Sequence, residues 1–400
     1  MEKILIVGNG GREDALGWHL SKSNEVSKVI RISQKENFNS VEELIIREKI
    51  GLTIIGSEGQ LSSGIVDFLN SKGIHNVFGP TQKMALVESD KFYSYDLMRE
   101  LSIPQARSIK CSTKFEVFDA VKKFEQPVLK YRGLAGGKGV KVYSSQKEAW
   151  SDLENFVKNF GTEILVAERL HGKEFSVFGI ADGRNVLPFE AAFQDYKRLG
   201  DGDAGPNTGG MGSYGPVQFI SKELIYEITD GIIAPVVRKT NYKGFIYAGM
   251  IMSNDGVKVI EFNSRLGDPE TQPTVMLIKN NLYDSIKSSL EGNVQKSLVK
   301  FKKGSSCCVV LASRGYPENY EVGLPISGIS EAEKIKGIKI FHAGTKFENN
   351  SWMTDGGRVL GVTSYSCDGI SIARKLAYEA VLKINVPGGF HYRKDISLIV

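Results

Sequence analysis

Lys3-Ile4-Leu5-Ile6-Val7-Gly8-Asn9-Gly10-Gly11-Arg12-Glu13 reads as a strand, a glycine turn and the opening of a helix. Ala15, Leu16, His19 and Leu20 carry that helix to residue 21 at helical spacing. Strand-like runs recur at residues 29–32, 52–55 and 76–78, with helical segments between them. Strands alternating with helices imply a parallel, doubly wound α/β sheet. Ser102-Ile103-Pro104 reads as a connector, so the first unit is expected to span residues 1–101.

Beyond it the pattern is mixed. Strand candidates fall at residues 127–130, 139–143, 164–168, 174–181, 245–253 and 257–263. Two segments are dense in glycine, 133–139 and 200–215. Such a segment inside a compact domain is a functional loop more often than a linker. A third stretch, 297–400, begins with a strand at 307–313 and runs to a helix at 370–384.

The chain has 400 residues, two to three domains' worth at roughly 150 residues each. Fifty-one Lys and Arg against 46 Asp and Glu leave +5, with no long basic stretch, so a nucleic-acid-binding protein is not expected. No apolar run approaches the roughly 20 residues that span a bilayer. Gly8 interrupts the first apolar run, so no cleavable signal is expected either. Cys111, Cys307, Cys308 and Cys367 form no C-x-x-C pair and read as four reduced core thiols of a cytoplasmic protein. Five His and no H-E-x-x-H argue against a zinc hydrolase.

The glycine turn at residues 8–11 ends a strand and opens a helix, where backbone N–H groups and the helix dipole favour an anion. It departs from the dinucleotide fingerprint. Glu13 stands at the third glycine position, and the second strand ends with Arg31 where a ribose-binding acid belongs. Lys130-Tyr131-Arg132-Gly133-Leu134-Ala135-Gly136-Gly137-Lys138-Gly139 puts one lysine on a strand and another in a glycine loop, a device for covering a triphosphate. It is not a Walker A loop, which needs glycine at 132 and Ser or Thr at 139. In Val259-Ile260-Glu261-Phe262-Asn263-Ser264-Arg265, Glu261 and Asn263 share a face of a strand. Two oxygen ligands there suit Mg²⁺, which completes its shell with water and phosphate oxygens. If the strand persists, Arg265 continues that face and could grip a carboxylate in bidentate fashion. The polar stretch Gln194-Asp195-Tyr196-Lys197-Arg198 leads into Gly205-Pro206-Asn207-Thr208-Gly209-Gly210-Met211-Gly212, which could supply donors to a transferring phosphoryl group or acyl phosphate. Glu168 and Glu174 flank a turn between strands, where one could meet a ribose hydroxyl.

Taken in order, these segments resemble the ATP-grasp ligases and, within them, the phosphoribosylamine–glycine ligases (glycinamide ribonucleotide synthetases) of purine biosynthesis. Further pieces of the resemblance are Phe78-Gly79-Pro80-Thr81, Gly267-Asp268-Pro269-Glu270-Thr271-Gln272, His342-Ala343-Gly344-Thr345, Gly356-Gly357-Arg358-Val359 and Arg393-Lys394-Asp395-Ile396. The resemblance covers essentially the whole chain. It implies a Rossmann-like N-terminal domain over 1–101, ATP-grasp α+β lobes over 102–296 with a lid at about 112–185, and a small C-terminal α+β domain over 297–400. It implies that Lys91, Lys130 and Lys138 face ATP phosphates beside Gly136 and Gly137. The segment from Glu168 to Leu170 would line the adenine slot, Glu174 would meet the ribose, and Glu261 and Asn263 would hold Mg²⁺ or Mn²⁺. Asp195, Asn207, Thr208, Gly209, Gly210, Arg265, Asp268 and Glu270 would shape the glycine and acyl-phosphate site, with Asp195, Asn207, Arg265 and Lys138 acting in the chemistry. Gly10, Gly11, Arg12, Glu13 and Glu58 would bind the phosphoribosyl amine. The implied partners are small molecules, with no nucleic acid and no membrane, and the implied assembly is a monomer or weak dimer.

The departures from the family pattern cluster toward the N-terminal domain. Asp14 stands where the family has His, the loop at residues 33–37 is shortened, and Gly56-Ser57-Glu58 replaces Gly-Pro-Glu. Arg132 reverses the charge of an Asp, and Ala167-Glu168 replaces Glu-Glu. Asp14 suits the dipole of a first helical turn. Beside a bound phosphate, two unit charges about 5 Å apart at an effective dielectric near 20 would repel by roughly 3 kcal/mol, about a hundredfold in affinity. The expectation is therefore an acceptor that differs from phosphoribosylamine or binds more weakly. Three readings stay open: the glycine ligase itself, a related ligase using another amine or carboxylate, and an inactive ATP-binding regulator.

Overall fold

The computed structural model describes residues 1–296 and 298–398. The proposed boundary at 296/297 and the last two residues of the 297–400 unit therefore touch positions outside the described residues. Strands β1 (Glu2–Val7), β2 (Val26–Ile32), β3 (Leu52–Ile55) and β4 (Val77–Phe78) form a parallel sheet in the order β2-β1-β3-β4. All four residues of β3 are buried, as helices on both faces of a parallel sheet require. Ile4, Ile6, Leu16 and Leu20 fill one face, and Leu5, Val7, Val41 and Ile45 the other. Each such buried side chain contributes about 1.5–3 kcal/mol. Helix α1 (Gly11–Leu20) starts at Gly10, whose N–H donates to Glu13 at 3.0 Å.

A second sheet is antiparallel, in the order Ser108–Cys111, Ile164–Glu168, Pro127–Tyr131, Val140–Val142. Its core holds Cys111, Leu129, Tyr143, Leu153, Phe156 and Val166, the last helical pair coming from Gln146–Phe160. The third sheet runs Val186–Pro188, Lys173–Asp182, Lys243–Ser253, Gly256–Asn263. The sequence reading put residues 173–182 in the lid. They belong instead to this larger sheet, because Lys173–Asp182 pairs along its whole length with Lys243–Ser253.

The C-terminal stretch forms a five-stranded sheet with Gln194–Asp195 and Gly212–Gly215 at one side, followed by Ser305–Ala312, Arg358–Ser366 and Ile338–His342. This sheet thus runs across the expected 296/297 boundary and draws the glycine-rich 194–215 segment onto the C-terminal unit. Helix Ile370–Val381 packs on it. Cys307 and Cys308 lie buried on opposite faces of one strand, and Cys111 is buried, but Cys367 is exposed. The reading of four core thiols is corrected to three, because Cys367 falls just after the Arg358–Ser366 strand ends. No helix among the described residues is long and apolar enough to cross a membrane.

Candidate active site

The strand Gly256–Asn263 delivers Glu261 opposite Gly249 and Asn263 opposite Tyr247 on the neighbouring strand. A Cβ at Gly249 would sit 3.3 Å from Glu261 Cγ, so the missing side chain leaves room for the carboxylate. Burial disfavours the Glu261 charge, but Lys197, Lys130, Lys91 and Arg265 outweigh it and hold the carboxyl below its ordinary range. Among the described residues Glu261 makes no hydrogen bond or ion pair, and Asn263, 7 % exposed, bonds its amide to no protein group. Two free oxygen donors on one face fit a divalent ion that takes its remaining ligands from phosphate and water. No cluster of three His, Cys, Asp or Glu is poised for a metal among the described residues.

Lys130 donates to the Ile260 carbonyl at 3.2 Å and Lys91 to the Gly133 carbonyl at 2.9 Å. Burial pulls both ammonium groups down from the lysine range, and Glu261 opposes it. Lys197, which sequence reasoning passed over, enters the same cluster 3.4 Å from Glu174. Burial works against its charge, yet Glu174, Asp195, Tyr247 and Glu261 hold it well above the ordinary lysine range. Burial pushes Asp195 up to about 7, opposed by Lys197 and reinforced by Glu270, Glu174 and Glu261. Glu270 is 3 % exposed and lies 3.2 Å from the Ser176 hydroxyl, itself 2.9 Å from the Tyr247 hydroxyl. Burial raises the Glu270 carboxyl. The cluster therefore alternates cations and acids, a setting that can absorb a polyphosphate with its counter-ion.

The strand ends at Asn263, so Arg265 does not continue it; its charge still reaches Glu261, and it pairs with Glu88 at 2.8 Å and Glu58 at 3.4 Å. Its guanidinium is already engaged, Nη2 by Glu88, Nε by Glu58 and Nη1 by the Leu266 carbonyl at 3.3 Å. Arg12 bonds Glu13 at 2.7 Å, the Leu266 carbonyl at 3.1 Å and Glu58 at 3.4 Å. Burial raises Glu58, but Arg265 and Arg12 outweigh it and hold the carboxyl down to about 2. The turn's N–H groups are not all free either, since Gly10 gives its own to Glu13. Gly11 faces Gln272, whose amide a Cβ would meet at 2.7 Å, and Gln272 in turn donates to Asp268 at 2.8 Å.

Gly136 and Gly137 hold φ of 55° and 81°, and Lys138 beside them is exposed. The Lys138 ammonium makes no hydrogen bond or ion pair among the described residues, unlike Lys130. Asn207 donates to the Val140 carbonyl at 3.3 Å, linking the lid to the 205–212 segment. Three of that segment's backbone N–H groups have partners within the protein. Thr208 N–H bonds the Lys197 carbonyl, Gly210 N–H bonds Thr208 Oγ1, and Gly209 N–H bonds the Tyr316 hydroxyl. Glu168 is likewise occupied, its carboxylate taking the Arg107 N–H at 2.9 Å and guanidinium at 2.7 Å, with Leu170 half-buried beyond it. Glu174 is the more accessible of the two acids.

Asp14 does not confront an anion site unopposed. Its carboxylate pairs with Arg31 at 2.7 Å and accepts the His342 N–H at 2.8 Å. The expectation of a repelled phosphate is corrected, because the charge is neutralised by the basic residue that ends β2. Arg132 is explained in the same way, by pairing with Asp90 and Glu163, both at 2.6 Å. Glu88 and Tyr316 lie outside the motifs quoted above, and Lys197 and Arg358 lie inside two of them without having been given a role.

Three family models match in chain order: the phosphoribosylglycinamide synthetase N domain over residues 2–88, its ATP-grasp (A) domain over 89–271 and its C domain over 306–398. A phosphoribosylamine–glycine ligase of Caldanaerobacter subterraneus subsp. tengcongensis is 37 % identical, covering 99 % of each chain. The human trifunctional purine biosynthetic protein adenosine-3 is 38 % identical over 99 % of this chain and 42 % of its own length. A solved phosphoribosylamine–glycine ligase from Thermotoga maritima superposes with a TM-score of 0.83 at 31 % identity, covering 99 % of this chain and 100 % of that one. The biotin carboxylase domain of Hydrogenobacter thermophilus 2-oxoglutarate carboxylase shares the fold at 14 % identity and a TM-score of 0.73.

Proposed function

The chain belongs to the phosphoribosylglycinamide synthetase family, and from that premise we propose how its own residues carry out the ligation. It is an ATP-grasp carbon–nitrogen ligase of purine biosynthesis that joins glycine to 5-phosphoribosylamine. A glycine carboxylate oxygen attacks the γ-phosphorus of ATP, the bond to the bridging oxygen breaks, and ADP leaves from glycyl phosphate. The amine of phosphoribosylamine then attacks the acyl carbon, phosphate departs, and the nitrogen loses a proton to give the amide. Neither step needs a nucleophilic side chain, so positioning and electrostatics carry the rate.

Lys91 and Lys130 are placed to neutralise the phosphates, and Lys138 reaches them as the Gly136-Gly137 loop shuts. The Glu168–Leu170 backbone receives the adenine and Glu174 the ribose. Glu261 and Asn263 would hold Mg²⁺ or Mn²⁺, which draws charge from phosphate oxygens when bound. Asp195, Asn207, Thr208, Gly209, Gly210, Asp268 and Glu270 frame the glycine side. Arg265 acts there through its ion pairs with Glu88 and Glu58. Gly10, Gly11, Arg12, Glu13 and Glu58 form the acceptor side, and the neutralised Asp14 supports phosphoribosylamine itself as the acceptor. The domains are read as 1–101, 102–296 and 297–400. We read the enzyme as a cytoplasmic monomer or weak dimer, and its free thiols suit a reducing compartment.

The observation that carries this reading is Glu261, unbonded yet surrounded by Lys91, Lys130, Lys197 and Arg265. ADP release measured with glycine, phosphoribosylamine and a panel of other amines and acids tests it. Glycine with phosphoribosylamine should be the preferred pair, and Glu261→Gln should cut turnover by about 10²–10³. Unchanged turnover in that variant would overturn the reading.

A further inference from the structure

Resting on the reading above, the geometry points to Arg358 of the C-terminal unit as the positioning residue that fixes the Lys197–Gly210 hairpin against the Asp268–Glu270 corner. Arg358 opens the strand Arg358–Ser366, and its guanidinium leaves the sheet to enter the cleft wall. Nη1 lies 2.6 Å from the Gly209 carbonyl, 3.4 Å from that of Gly210 and 2.9 Å from that of Asp268, while Nη2 lies 2.8 Å from the Asp268 carboxylate. One fork therefore bonds two loops that are about 60 residues apart in sequence.

Glycines make the approach possible. A Cβ at Gly209 would sit 2.9 Å from Arg358 Cζ, one at Gly210 would sit 2.4 Å from Pro269 Cδ, and one at Gly357 would sit 2.3 Å from the Tyr316 ring. Tyr316, also from the C-terminal unit, closes the clamp by accepting the Gly209 N–H at 3.0 Å.

Both loops end in the reacting cluster. Thr208 bonds the Lys197 carbonyl through N–H at 2.8 Å and Oγ1 at 2.9 Å, so the hairpin anchors the main chain from which the Lys197 ammonium reaches Glu174 at 3.4 Å. Asp268 leads two residues on to Glu270, which meets Ser176. Arg358 thus sets the separation between the Lys197 cation and the Glu270 acid without touching substrate. A lysine there keeps the charge but cannot meet acceptors spread across two loops.

The test compares Arg358→Ala, Arg358→Lys and Tyr316→Phe in the full-length enzyme. Arg358→Ala should lower kcat about a hundredfold through misplacement of the loops, with KM for ATP within about threefold of the parent. Arg358→Lys should recover only part of the loss, and Tyr316→Phe should show a smaller one. A folded Arg358→Ala with parental kcat, or full rescue by lysine, overturns the proposal. If Arg358→Ala does not fold, the other two decide, and parental kcat in both overturns it. Hydrogen–deuterium exchange over residues 205–215 gives a readout independent of the substrates. Arg358→Lys should speed it, and unchanged exchange overturns the proposal. An inactive parent enzyme would instead sink the functional reading and leave this exchange test standing.

Discussion

Asp14 and Arg31 form an ion pair at 2.7 Å, and the second oxygen of Asp14 accepts the His342 N–H at 2.8 Å. One carboxylate thereby joins α1, β2 and the edge strand Ile338–His342 of the C-terminal sheet. The residue that departs from its family is a strut between domains. Asp14→Ala should destabilise the protein by on the order of 1–3 kcal/mol, the range for losing hydrogen bonds to a charged group. KM for phosphoribosylamine should stay within about threefold. Denaturant midpoints and initial rates check the two halves separately. A large fall in acceptor KM without loss of stability would restore the repulsion reading.

Glu58 supplies a pH test. Its carboxyl is held at about 2 by Arg265 and Arg12 against the effect of burial, below the ordinary value of about 4.3. Between those values the unfolded chain binds more protons than the folded one, so stability falls as pH drops through about 4.5 to 2. After discounting for partial exposure, the parent should exceed Glu58→Gln by on the order of 1–2 kcal/mol at pH 6. The gap should shrink steadily as pH falls from about 4.5 toward 2. A gap that stays constant over that range would assign the effect to packing rather than to the ion pairs.

Arg132 holds the helix start that carries Lys91, the first lysine of the proposed phosphate site. It pairs with Asp90, which caps the helix Lys91–Glu100 by accepting the Phe92 and Tyr93 N–H groups at 2.9 and 3.1 Å. The Lys91 N–H bonds the Arg132 carbonyl at 2.8 Å. A double-mutant cycle with Arg132→Ala and Asp90→Asn, read as ATP affinity, should give a coupling of about 0.5–1 kcal/mol for this half-exposed pair. Zero coupling would make Arg132 a solvated surface charge.

The strands at 52–55 and 164–168 were legible to the residue because β-branched and apolar runs ended at turn formers. Glu261 and Asn263 were legible because period-two alternation puts them on one face. The face of Arg265 was not legible, because the strand stops two residues earlier, at Asn263, and no local signal marks that end. Arg358 and Lys197 were out of reach for a different reason. Arg358 acts through contacts across about 150 residues of chain and Lys197 through an acid 23 residues away on another strand, and neither charge looks special until its partners are brought to it. The compensation of Asp14 by Arg31 is also tertiary, though the arginine at the end of β2 was in view.

Gly136 and Gly137 allow backbone strain and close contact to be separated in the lid. Both have positive φ, 55° and 81°. A Cβ on Gly136 would meet nothing within 4 Å, whereas one on Gly137 would lie 3.3 Å from the Thr208 carbonyl oxygen. Gly136→Ala therefore costs only the left-handed backbone penalty of roughly 1–2 kcal/mol. Gly137→Ala adds pressure on the segment that carries Thr208, which is bonded to Lys197. Both variants should raise KM for ATP, since the loop becomes harder to hold in place. Gly137→Ala should in addition lower kcat, by about tenfold, because displacing Thr208 moves the Lys197 ammonium. Steady-state rates at saturating glycine and acceptor distinguish them. Equal kcat in the two variants would mean that the lid loop and the Thr208 segment are not in contact during turnover.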